Sequence, residues 1–93
     1  MEQMEEMFMM QIFEKLKKIM KENYSIHDVN IDDRLLEDLN INSLEMADMT
    51  YTIEEEFDIE FAGDEIYSVV TVRDLVYLIN QLVDAKTQEG ISC

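Results

Sequence analysis

The chain has 93 residues, with 22 Asp and Glu against seven Lys and Arg, which gives a net charge of −15. One domain fits this length, and an apolar fraction of 47% is too high for a disordered acidic tail. The charge argues against nucleic acid and anionic membranes as partners and favours proteins with basic docking patches. The alternative is that a high net charge only keeps a small protein soluble.

Composition also limits which fold classes and which cellular compartments can be expected for this chain. The chain has no Pro and only two Gly, so helices are favoured over β-hairpins. The single cysteine, Cys93, fits a reducing compartment, and the acidic first residues do not resemble a secretory leader. No apolar run is long enough to span a membrane. We therefore expect a cytoplasmic, monomeric, all-α protein.

The first segment predicts an amphipathic helix over roughly residues 5 to 23. Its apolar stripe follows spacings of three and four residues through Met9, Ile12, Leu16 and Ile19. A long connection over residues 24–39 follows, in which apolar anchors alternate with Asp, Asn and Ser. These carboxylates do not fit an EF-hand, and His27 has no Cys or His companion, so we expect no metal site.

A second helix is predicted from Ser43 to about Phe57. Met46, Met49 and Ile53 recur on one face of it. Asn42 is a good N-cap, and Glu45 three residues later completes a capping box, which places Ser43 at the first helical position.

The remaining residues predict a short helical turn and a final helix. Gly63 marks a break, and residues 64–69 could form one turn anchored by Ile66 and Val69. Thr71 with Asp74 forms a second capping signature. The last helix follows the apolar pattern as far as Val83, and residues 86–93 are expected to be a frayed tail.

Ser43 lies in a segment of one charge sign. Between Leu35 and Val72 there are eleven Asp and Glu and no Lys or Arg. As a nucleophile, Ser43 would need a base and an oxyanion hole, yet it has no G-x-S-x-G context, and His27, the single histidine, lies far upstream. Two other roles are open: an auxiliary helix cap, or an exposed hydroxyl group that another enzyme modifies.

Three stretches resemble one known family. L-N-I-N-S-L-E-M-A-D-M (residues 39–49) is similar to the L-G-x-D-S-L-x-x-x-E-L site of acyl carrier proteins. I-E-E-E-F-D-I-E-F (53–61) resembles the end of that family's second helix, and T-V-R-D-L-V-Y-L-I (71–79) resembles the start of its last. The resemblance runs without gaps from about Ile12 to Ala85.

The resemblance implies a four-helix bundle with a short third helix and a long connection between helices 1 and 2. Residues 1–93 would form a single carrier domain, with its core at about 5–85. Ser43 would carry 4′-phosphopantetheine, transferred from coenzyme A by a separate phosphopantetheinyl transferase. The chain itself would be non-catalytic, and acyl-loading and acyl-processing enzymes would dock on it through basic patches.

The same comparison assigns roles to further residues of the second helix. Those expected to meet partner enzymes are Asn42, Leu44, Asp48, Tyr51, Glu54 and Glu55. Those expected to line a cavity for the acyl chain are Met46, Met49 and Ile53, although ordinary core packing explains the two methionines at least as well.

Three residues depart from the family pattern. Asn42 replaces the usual Asp before the serine, Asn40 replaces a Gly, and Tyr51 replaces an aliphatic residue. They suggest a specialised carrier in a fatty-acid, polyketide or related pathway. Two alternatives stay open: a carrier of aminoacyl groups such as D-alanine, and an acidic helical adaptor that is never modified. The E-E-E-F-D-I-E stretch favours the acyl carrier.

Overall fold

Three α-helices and one 3-10 turn make up the regular structure of the described residues. A computed structural model describes the backbone of residues 2–62 and 65–92 and the side chains of residues 8–62 and 65–85. The elements are α1 (Glu2–Tyr24), α2 (Ser43–Phe57), a 3-10 turn (Glu65–Ser68) and α3 (Val72–Ser92). In the described part of the chain there is no strand, only an isolated β-bridge between Arg34 and Thr71. The all-α prediction is confirmed.

The short third element of the predicted bundle is a single 3-10 turn of four residues. It coincides with the turn expected over residues 64–69, and Ile66 anchors it in the core. The four-helix description therefore stays a prediction. Gly63, where we expected a break, lies outside the described residues.

The core follows the predicted helical stripes. α1 and α3 pack against each other, and α2 adds three buried residues, Met46, Met49 and Ile53. Every buried residue among those described is apolar. Removing a side chain such as Leu, Ile or Met from water contributes about 1.5–3 kcal/mol, so this shared interior holds the helices together. The buried residues of α1 and α3 are Ile12, Leu16, Ile19, Met20, Val72, Leu75, Val76 and Ile79.

The long connection between α1 and α2 is bound to the start of α3. The backbone N–H of Leu35 donates to the carbonyl of Val70 at 2.9 Å, and the N–H of Val72 donates to the carbonyl of Asp33 at 2.9 Å. Buried side chains of Val29, Leu35 and Ile41 anchor the same segment from inside. These contacts fix the position of the connection and therefore the place where α2 begins.

α3 begins with the predicted capping box. Thr71 Oγ1 accepts from the Asp74 N–H at 3.1 Å, and Asp74 Oδ2 accepts from the N–H groups of Thr71 and Val70, both at 3.1 Å. These backbone hydrogen bonds hold the pKa of Asp74 below its usual value. The helical backbone runs to Ser92, beyond the apolar pattern, which ends at Val83. That residues 86–93 fray stays a prediction.

Hydropathy places no membrane span in the helices. Among the described residues, no helix combines the length and the apolar character that a bilayer crossing needs.

Candidate functional site

The beginning of α2 is closed by a complete capping box. Asn42 Oδ1 accepts from the Glu45 N–H at 2.8 Å, and the Asn42 N–H donates to Glu45 Oε1 at 3.2 Å. Asn42 has extended backbone geometry, with φ −79° and ψ 176°, and Ser43 is the first helical residue. The predicted capping box and helix start are confirmed.

The two residues before the cap explain one departure from the family pattern. Asn40 has φ 57°, in the left-handed region that favours glycine. Asn tolerates this conformation better than most other residues, so it can replace the family's usual Gly. Ile41 then inserts into the core, and its N–H donates to the Leu35 carbonyl at 2.9 Å. The buried side chain of Ile41 and the capping box of Asn42 and Glu45 thus fix the backbone at Ser43.

Ser43 itself is exposed at the first turn of α2. No hydrogen bond of its hydroxyl group is found within residues 8–62 and 65–85. The structure does not bring His27 to it, because His27 lines a separate surface groove with Lys17 and Lys21. The arrangement gives Ser43 no general base of its own, yet leaves its oxygen accessible to another protein.

A cavity of about 230 Å³ opens beside Ser43. Of the three predicted cavity residues, Met46 lines it, whereas Met49 and Ile53 are fully buried in the core and are not part of its wall. The other lining residues come from the long connection, the 3-10 turn and the residues after it: Arg34, Leu35, Leu36, Glu37, Ile41, Ile66, Tyr67, Val69 and Val70. Sequence reasoning had identified several of these only as apolar anchors. That Met46, Met49 and Ile53 hold an acyl chain stays a prediction.

The outer face of α2 displays most of the residues expected to meet partners. Leu44 is 82% exposed and Tyr51 60% exposed, unusual values for such large apolar side chains. Asp48 and Glu55 are also exposed on this helix. Together they form an apolar spot with an acidic rim, and its role in docking stays a prediction.

Glu54, the remaining acidic residue predicted to meet partners, also has a structural role, and its part in docking stays a prediction. It is half-buried, and its Oε2 accepts from the Phe61 N–H at 2.9 Å. Its backbone carbonyl accepts from the N–H of Ile59 at 3.1 Å, after Asp58 has ended α2 in a left-handed conformation. Glu54 therefore holds the segment that leaves α2 against the end of the helix.

Comparison with known proteins identifies the family. A family model described as the phosphopantetheine attachment site matches residues 11–79. The chain belongs to this family. The prosthetic group that defines the phosphopantetheine attachment-site family is covalent 4′-phosphopantetheine, which confirms the predicted cofactor.

A solved structure agrees with the fold of this family member. The crystal structure of an acyl carrier protein from Thermotoga maritima superposes with a TM-score of 0.77 at 21% sequence identity. The match covers 85% of this chain and 94% of that one, so the two share a fold over nearly their whole length. No curated protein matches the sequence.

The residues at the start of α2 fit the group chemically. Attachment needs an accessible hydroxyl, and Ser43 presents an exposed one in the matched region. A phosphodiester there would meet the unpaired N–H groups and the positive dipole end of α2. When bound, the group supplies a terminal thiol that carries cargo as a thioester.

Proposed function

We propose that Ser43 is the attachment residue and that the chain carries acyl groups as thioesters on its phosphopantetheine arm. The observation that supports this most strongly is the exposed, unengaged hydroxyl at the capped first residue of α2, within the matched residues 11–79. We place the carrier in a specialised fatty-acid, polyketide or related pathway, because Asn42 and Tyr51 depart from the common pattern.

The carrier works without catalytic groups of its own. Among the residues whose side chains are described, no base is in hydrogen-bond contact with Ser43, so a transferase supplies the proton acceptor when the group is attached. What this chain contributes is position: the Asn42 capping box and the buried Ile41 fix the backbone on which Ser43 stands. A rigid backbone at the modified residue lowers the ordering cost of docking to each successive enzyme.

An acyl cargo fits the neighbouring cavity better than an aminoacyl cargo. Apolar side chains dominate its wall, including Leu35, Ile41, Met46 and Ile66. An alkyl chain gains free energy on leaving water, whereas the ammonium group of an aminoacyl cargo would lose hydration beside a single carboxylate, Glu37, which is exposed and already paired with Arg34. Met46 has an unbranched, adaptable side chain, which suits a cavity that must accept a guest.

Partner enzymes are proposed to dock on the outer face of α2. Asp48 and Glu55 would form ion pairs with Lys and Arg of the partner while Leu44 enters an apolar pocket. Between Leu35 and Val72 the chain has eleven acidic residues and no basic one, so the field around Ser43 is predominantly negative, although Arg34, which is paired with Glu37 and Asp38, also lines the cavity beside Ser43. Such a field speeds the encounter with a basic patch and is weakened by salt.

Incubation with coenzyme A and a broad-specificity transferase tests the attachment. We expect the intact mass to rise by one phosphopantetheine in the wild type and in Ser68→Ala, a control at another exposed serine. Ser43→Ala should show no gain. No gain in the wild type would favour the unmodified acidic adaptor.

Loading of the modified protein then separates the two kinds of cargo. Acyl-activating and aminoacyl-activating enzymes are offered the same holo-protein, and the thioester product is measured by mass. We expect acyl loading to be faster. Preferential loading of an amino acid would support the aminoacyl carrier instead.

A further inference from the structure

Tyr24 connects the end of α1 to the outer face of α2. Its hydroxyl group donates to Asp48 Oδ2 at 2.6 Å and also lies 3.4 Å from the backbone carbonyl oxygen of Glu45. The ring is half-buried and packs against the hydrophobic core. An exposed carboxylate is therefore held by a phenol whose own position the core determines.

The backbone around Tyr24 is also held in place, by hydrogen bonds that end α1. Tyr24 is the last residue of α1, and Ser25 follows it in the left-handed conformation with φ 56°. The Ser25 N–H donates to the Lys21 carbonyl at 3.2 Å, and the Ile26 N–H donates to the Met20 carbonyl at 3.1 Å. This paired termination satisfies carbonyls at the end of α1 and leaves the Tyr24 backbone little freedom.

We propose that Tyr24 is a positioning residue that pre-orders the Asp48 carboxylate for partner docking. This inference rests on the proposed function, in which Asp48 meets a partner's cation. An unrestrained aspartate loses rotamer freedom when it docks, and one that is already held loses less. A carboxylate has about four acceptor sites, so one phenol donor leaves room for a partner's Arg or Lys.

Two further observations concern the hydrogen bond from Tyr24 to Asp48. A phenol is protonated at neutral pH in any case, and burial, followed by the hydrogen bond to Asp48, raises the pKa of Tyr24 further, so the donor is also kept in alkaline solution. Glu55, on the same helix, makes no such hydrogen bond in the described part of the chain. The outer face thus has one ordered carboxylate and one unrestrained carboxylate.

A double-mutant cycle in transferase kinetics tests the inference. The apo-protein is the substrate, in the variants Tyr24→Phe, Asp48→Asn and the two combined. We expect Tyr24→Phe to raise KM about 2- to 10-fold with kcat unchanged. In the Asp48→Asn background, it should raise KM no further. Tyr77→Phe, a substitution of an exposed tyrosine on α3, is the matched control and should leave KM unchanged.

An equal KM increase with and without Asp48 would overturn the inference, because Tyr24 would then act through the fold. An unchanged KM in Tyr24→Phe would overturn it as well. Absence of any modification in the wild type is a different result, and it counts against the proposed function.

NMR scalar couplings that report the χ1 angle of Asp48 test the hold independently of any enzyme. We expect one dominant rotamer in the wild type and averaged couplings in Tyr24→Phe. Averaged couplings in the wild type would overturn the inference whatever the transferase does. Thermal unfolding of Tyr24→Phe confirms that the variant folds.

Discussion

Replacing Asn42 by Ala tests how the start of α2 is held. The substitution removes the Oδ1 acceptor and leaves the Glu45 N–H, now bonded at 2.8 Å, without its partner. Loss of an N-cap costs about 1 kcal/mol, within a range of roughly 0.5–2 kcal/mol. For a domain of this size, a change of about 1 kcal/mol lowers Tm by roughly 4–8 °C.

Asn42→Asp separates the cap from the charge. Asp keeps an acceptor oxygen at the N-cap, and its charge interacts favourably with the helix dipole by about 0.3–1 kcal/mol. Repulsion from neighbouring carboxylates, such as Glu45 in the first turn, opposes this gain. We therefore expect Asn42→Asp to lie within about 0.5 kcal/mol of the wild type.

Urea unfolding followed by far-UV circular dichroism measures these free energies at fixed salt. Asn23→Ala, at an exposed site on α1, is the matched control and should change stability by less than about 0.5 kcal/mol. A wild-type midpoint in Asn42→Ala would refute the capping argument. The same variants separate stability from recognition, since Asn42→Asp restores the acidic residue usual in the family and should raise the rate of modification by a generic transferase.

Three other predictions concern the core, the pH response and the docking face. Met49→Ala should destabilise the protein by about 2–5 kcal/mol, because the Met49 side chain is fully buried. The Met10 side chain is 64% exposed, so Met10→Ala should cost under about 1 kcal/mol. Urea unfolding measures both changes. The pKa of Asp74 is lower in the folded chain than its unfolded value of about 4, so Asp74→Ala should be less stable than the wild type at about pH 7. The difference should shrink as pH falls below about 4 and through the folded pKa; a pH-independent difference would contradict this. Glu55→Lys should raise the transferase KM at low salt, and this increase should shrink as salt rises. Glu22→Lys makes the same charge change on α1 and should have little effect on KM. Equal increases in KM would argue against docking on the outer face of α2.

Local patterns predicted the features that depend on neighbours in sequence. The helical stripes, the Asn42–Glu45 box and the Thr71–Asp74 box were all predicted, because helix periodicity and capping involve residues only three or four positions apart. The irregular connection was expected as well, although nothing local indicated how its backbone binds the start of α3.

Contacts between residues that lie far apart in sequence could not be predicted from local patterns. The hydrogen bond from Tyr24 to Asp48 joins residues 24 positions apart, and no spacing rule connects them. Glu54 was assigned to the partner-binding residues from the family resemblance, which gave no sign that the chain after α2 folds back and that its Phe61 N–H donates to the Glu54 carboxylate. The wall of the cavity beside Ser43 comes from several segments, and of Met46, Met49 and Ile53 only Met46 lies in it.

The position of the prosthetic group in the chain decides whether Ser43 is the attachment residue. After modification with coenzyme A, trypsin cleavage at Arg34 and Arg73 releases one peptide that contains both Ser43 and Ser68. Fragmentation of this peptide by mass spectrometry assigns the added phosphopantetheine to one residue. We expect the group on Ser43 alone; a group on Ser68, or a peptide that is never modified, would show that Ser43 is not the attachment residue.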